Sequence, residues 1–97
     1  MKLNLKFREG FAGSTVRVML GEHEVYRKAG VTTDLSISYA DEVDIVLDGG
    51  MHALGVSVAG GPSATLQVDA AKTPFAEVWI IDGRMDIRAA AQATPMM

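Results

Sequence analysis

The chain holds few of the side chains that carry out covalent chemistry. It has two histidines, His23 and His52, five serines (14, 36, 38, 57 and 63), 12 acidic residues and no cysteine. A serine nucleophile works from a strained G-x-S-x-G turn between a strand and a helix. No serine here has those neighbours, and Gly60-Gly61-Pro62-Ser63 has the composition of a plain turn. A metal site needs two or more ligands brought together, which short His spacings achieve on one element. His23 and His52 form no such pair, although each has carboxylates nearby in the chain, Glu22 and Glu24 or Asp48. They read as two solvent-facing histidines beside turns. Glycoside hydrolysis requires two carboxylates across a cleft. Glu42, Asp44 and Asp48 instead fall along one strand. The expectation is therefore no catalytic site, no metal and no cofactor.

Binding chemistry has more to work with. Lys2, Lys6 and Arg8 make a basic stripe, but single-strand nucleic-acid binders interleave such stripes with exposed aromatics. Phe7, the aromatic beside them, has inward parity, and the net charge of −3 provides no attraction to polyanions. No nucleic acid is expected. A sugar platform could be assembled from Trp79 with Tyr26 or Tyr39, so a carbohydrate- or small-ligand-binding module is the alternative reading.

The leading signal is Phe75–Ile81. Val78 and Ile80 take one face, and Phe75, Trp79 and Ile81 take the other, interrupted only by Glu77. A strand apolar on both faces exposes a patch unless something covers it. Ala53, Gly55 and Ser57 give a second strand a small, uncharged outer face open to close approach. These six residues, Phe75, Trp79, Ile81, Ala53, Gly55 and Ser57, form the candidate interface. The function expected is a non-catalytic binding or assembly module, either a homo-oligomer or one that takes a protein partner.

The elements that must hold these residues are strands. Lys2–Arg8 alternates Leu3, Leu5 and Phe7 with polar residues, the period of a half-buried strand. The same period recurs over Thr15–Leu20, His23–Lys28, Leu35–Tyr39, Glu42–Asp48, Ala53–Val58, Thr65–Asp69, Phe75–Ile81 and Arg84–Arg88. In the third of these, Val25 or Tyr26 must take the core face. Asp48-Gly49-Gly50 and Asp82-Gly83 are hairpin signals, and Gly21-Glu22 suits a tight turn. Glu42–Ala59 thus predicts a central hairpin. No segment keeps a 3.6-residue apolar period over three turns. The fold class expected is all-β: an immunoglobulin-like or prealbumin-like β-sandwich of seven to nine antiparallel strands with little or no helix. One domain spans 1–88, and 89–97 is expected to be a frayed tail.

Composition agrees. A chain of 97 residues is the size of one domain, and 48% hydrophobic content rules out disorder over most of its length. Gly49–Val68 contains no charged residue, but glycines, a proline and an alternating pattern mark it as strands and turns rather than a membrane span. The alternating N-terminus lacks the apolar run of a secretory signal. A cytoplasmic location and no membrane association are expected.

Overall fold

The computed structural model describes residues 1–34 and 40–91. Those residues form eight strands and no helix: β1 (Lys2–Phe7), β2 (Ser14–Leu20), β3 (His23–Val31), β4 (Asp41–Val46), β5 (Met51–Val58), β6 (Ser63–Asp69), β7 (Phe75–Ile81) and β8 (Arg84–Ala90). They make two four-stranded sheets in a sandwich-like arrangement. The first sheet has the order β4-β1-β7-β8 and the second β3-β2-β5-β6. No helix among the described residues is long and apolar enough to cross a membrane.

The period-two pattern decides what enters the core. Leu3, Leu5 and Phe7 of β1 and Val78 of β7 are fully buried in the first sheet, facing Val16, Val18 and Leu54 of the second. Burying one such side chain stabilises by about 1.5–3 kcal/mol. Tyr26, not Val25, takes the core side of β3: its ring stacks on Phe7 at 5.5 Å, while Val25 is exposed. Phe11 meets Phe7 edge-on at 5.6 Å. The Asp82-Gly83 turn forms as expected, with positive φ at both residues (52° and 75°) and Ile81 paired with Arg84. That is the backbone a two-residue hairpin needs to match strand twist.

The structure corrects four expectations. Glu42–Ala59 is not a hairpin, because β4 and β5 lie in different sheets. Apolar alternation fixes which face of a strand is buried, not which strand lies beside it. Leu47 is buried and its N–H is bonded to the Met1 carbonyl at 3.0 Å, so the chain is still tied to the first sheet there. Asp48-Gly49-Gly50 then carries it to the second layer, across the roughly 10 Å that separates packed sheets. Next, the strands are not all antiparallel: β1 runs parallel to β7, with Asn4 opposite Phe75 and Phe7 opposite Val78. Alternation carries no information on direction. Third, β3 continues through Ala29 and Gly30 to Val31, absorbing irregular register against β2. Fourth, β8 runs to Ala90, so Ala89 and Ala90 pair with Ala76 and Phe75 instead of starting the tail. The strand expected over 35–39 and the tail beyond 91 lie outside the described residues.

One polar clasp joins the layers. The Tyr26 hydroxyl of β3 donates to Asp41 Oδ2 of β4 at 2.7 Å, and Lys28 Nζ donates to the same oxygen at 2.9 Å. Burial alone would push the Asp41 carboxyl up. The hydrogen bonds from Tyr26, Lys28 and the Glu42 N–H, with the Lys28 charge, outweigh it and hold the carboxyl below its ordinary value. Burial, then the Asp41 hydrogen bond and charge, push the Tyr26 hydroxyl well above its ordinary value.

A lowered carboxyl pKa adds stability that is complete above the unfolded value of about 3.9 and is lost as pH falls through the folded value. Asp41→Asn is therefore expected to lower stability by about 1–2 kcal/mol at neutral pH, hydrogen bonds to charged groups being worth about 1.5–3 kcal/mol. The gap between parent and variant should close on acidification, as pH falls from the unfolded value through the lowered folded one. Thermal melts from pH 2 to 7 measure it, and a gap that stays constant would remove the clasp from the argument.

Candidate functional site

The candidate interface residues divide between two broad faces. Phe75, Trp79 and Ile81 lie on the outer face of the first sheet, and Ala53, Gly55 and Ser57 on the outer face of the second. The sandwich stands between them, so they form two surfaces and not one.

On the first sheet the parity argument holds within β7. Ala76 and Val78 are buried toward the core, whereas Phe75 and Trp79 are half-buried on the other side and Ile81 is exposed. The side chains covering Trp79 were not legible from β7 itself. Arg8, just past the end of β1, and Arg88 of β8 each place a guanidinium carbon 5.5 Å from the indole centroid. Arginine over an aromatic face is worth about 0.5–2 kcal/mol, more as water is excluded.

Glu77, beside Trp79 on β7, is the buried charged residue of the described chain. Its carboxylate pairs with the Arg8 guanidinium, whose side chain is also largely covered. Removing one partner of such a pair strands the other, which costs about 3–5 kcal/mol. A carboxylate on a strand apolar on both faces is itself a signal that a cation must come from a neighbour, and Arg8 had the right parity.

The register aligns the charges in rows. Glu42 stands opposite Lys6, Lys6 opposite Glu77, and Glu77 opposite Arg88, giving minus, plus, minus, plus across β4, β1, β7 and β8. Lys6 Nζ lies 3.6 Å from Glu42. In the next row Trp79 is opposite Asp86, which accepts from Arg88 at 2.8 Å. Within the basic stripe Lys6 and Arg8 thus meet acids of the neighbouring strands, while Lys2 stands opposite Val46.

The second sheet presents a different surface. Ala53, Gly55 and Ser57 form the floor of a shallow depression of about 210 Å³ walled by Met19 and Thr65. A second depression of about 330 Å³ adjoins it at Ser57, lined by Thr15, Arg17, Arg27 and Ala59. Neither faces the core, and neither contains a histidine.

The remaining sequence candidates do not converge. Tyr26 packs on Phe7 inside the sandwich, on the opposite side of the first sheet from Trp79, so those two rings make no common platform. Tyr39 lies outside the described residues. His23 is exposed at the start of β3, and His52 Nε2 lies 2.9 Å from the Asp48 carbonyl oxygen. Among the described residues no three His, Asp or Glu side chains gather as a metal site.

No protein-family model, curated protein or solved structure matches the chain.

Proposed function

We propose that this domain is a non-catalytic assembly module that pairs with a second copy of itself through the outer face of the first sheet. The observation that carries the reading is the alternating row Glu42, Lys6, Glu77, Arg88. Consider a two-fold axis in the plane of the interface, parallel to the strands and between β1 and β7. It lays β4 of one copy over β8 of the other and β1 over β7. The row then meets its own reverse: Glu42 faces Arg88 of the second copy, and Lys6 faces Glu77. Arg8 is brought toward Trp79 of the second copy by the same rotation. A two-fold contact must be self-complementary in this way. Opposed sheets also cross with some twist, which long Lys and Arg side chains can absorb.

Two further features support it. Trp and Arg are the residue types that anchor interfaces. The chain's two longer dimensions, 33 and 31 Å, give a broad face ample for the about 800 Å² each partner contributes to a standard interface. We also propose that the sandwich is prealbumin-like rather than immunoglobulin-like. In the immunoglobulin constant type the first, second, fifth and fourth strands share a sheet. Here the first strand joins the fourth, seventh and eighth.

Sedimentation over a concentration series tests the assembly. Glu42→Lys sets like charges against each other twice per dimer and is expected to weaken association about tenfold, each exposed pair being worth up to about 1 kcal/mol. Glu42→Lys with Arg88→Glu restores opposite signs and should recover much of that loss. Equal weakening by the single and double variants would reject the two-fold arrangement.

A further inference from the structure

We infer that the outer face of the second sheet is a binding site for a phosphate group, held between Arg17 and Arg27. These two residues are directly opposite each other in the β2–β3 ladder. Like charges opposite one another destabilise a sheet, so the pairing works against the fold unless something negative lies between. One carboxylate does: Glu24 Oε1 accepts a hydrogen bond from Arg27 Nε at 2.7 Å and forms an ion pair with Arg17, whose Nε lies 3.1 Å away. The trio keeps a net positive charge in a chain whose total is −3.

The geometry leaves the binding end of both guanidiniums available. Each engages Glu24 through Nε. Both side chains stand well out of the surface, 47% and 61% exposed, so Glu24 does not cover the guanidiniums. They open on the depression of about 330 Å³. Hydroxyls complete it. Ser57 is opposite Arg17 on β5, and Thr15 is two residues before Arg17 on the same face. One row across three strands therefore reads Arg27, Arg17, Ser57.

Guanidinium forks match the spacing of phosphate oxygens, and hydroxyls can donate to a third. Glu24 orients the arginines through Nε while competing with the ligand for their charge. An exposed ion pair is worth only about 0–1 kcal/mol, so a phosphate can displace it. The neighbouring floor of Ala53 and Gly55, with Met19 as its wall, gives an uncharged shelf for whatever carries the phosphate.

The test is a titration of the intact protein followed by arginine Nε–Hε resonances. Inorganic phosphate, O-phosphoserine and serine are compared with sodium chloride at matched ionic strength. Saturable shifts at Arg17 and Arg27 with inorganic phosphate or phosphoserine, absent with serine and chloride, are expected. A stronger response to phosphoserine assigns the site to an ester, and a stronger response to inorganic phosphate assigns it to the free ion. Arg27→Gln should weaken binding about tenfold or more, the range for a lost charge-assisted hydrogen bond. Glu24→Gln should strengthen it, a gain that a merely structural role for Glu24 does not predict. Equal shifts with chloride, meaning an adventitious ion only, would overturn the proposal. So would unchanged or weaker binding in Glu24→Gln at an unchanged melting temperature. The site lies on the opposite face from the proposed dimer contact, so neither result bears on the other.

Discussion

Gly10→Ala is expected to lower the melting temperature by more than 10 °C or to prevent folding. After β1 the chain stays attached to β7: the Arg8 N–H donates to the Val78 carbonyl at 2.7 Å, and the Ile80 N–H donates to the Glu9 carbonyl at 2.9 Å. Gly10 follows directly, with φ at 96°. A Cβ there would fall on the Ile80 carbonyl oxygen and 2.7 Å from the Ile80 Cβ. Neither atom is the movable end of a flexible side chain. Relief requires the 9–10 segment to lift away from β7, losing those hydrogen bonds and loosening Phe11, which is buried next to it. The left-handed backbone alone costs alanine about 1–2 kcal/mol, and the overlap adds to it. Against a typical stability of about 5–15 kcal/mol the loss is large, and each kcal/mol moves the midpoint of a domain this size by about 4–8 °C. Gly13 is the control. Its φ is also positive, 65°, but nothing lies within 4 Å of a Cβ there. Gly13→Ala should show only the backbone part. Equal losses in the two variants would mean that close approach to Ile80 is not what requires glycine at position 10.

Trp79→Ser is expected to shift the solution mass from dimer toward monomer while the β spectrum is retained. Truncating an interface anchor costs about 2 kcal/mol or more, and two-fold symmetry applies the loss twice. Association should therefore weaken by about a hundredfold or more, at about 1.4 kcal/mol per factor of ten. The fold should suffer less, because Trp79 is only half-buried and faces away from Leu5 and Val78. Some loss is expected from the two arginines left without their ring. As the chain's single tryptophan, Trp79 also reports directly on its face. Its emission should move to shorter wavelength as dilute protein is concentrated. A parent that remains monomeric at high micromolar concentration would sink the assembly reading. A variant that loses its melting transition with no change in mass would make Trp79 a structural cover for the arginine layer.

The core was legible in the chain wherever alternation was strict. Leu3, Leu5 and Phe7 point inward as their spacing predicts, and so do Leu54 and Val56. Asp82-Gly83 was legible because a two-residue loop leaves one geometry open. What could not be read was adjacency. Nothing local says that Asp48-Gly49-Gly50 leads to the other layer rather than back along β4. The same gap hid the site. Arg8 and Arg88 meet over Trp79 only once β1, β7 and β8 are known to be neighbours in that order. Arg17 and Arg27 become a pair only through the register of β2 against β3, which contains irregularities that no pattern count supplies. Glu77 was the exception that carried its own clue, since a carboxylate between apolar residues must find a cation.

The parallel pairing of β1 with β7 has a consequence for how the protein is made. Its second sheet draws only on residues 14 to 69, but β1 lies between β4 and β7 in the first. β1 is made well before β7 and therefore waits for it before both of its edges are covered. Until then Leu3, Leu5 and Phe7 form an apolar strand with an open side, the kind of edge that recruits other chains. Closing so distant a contact is slow compared with joining neighbouring hairpins. Lys2, Lys6 and Arg8 place positive charge along that waiting strand, the kind of charge that blunts an open edge, and acids of β4 and β7 later pair with Lys6 and Arg8.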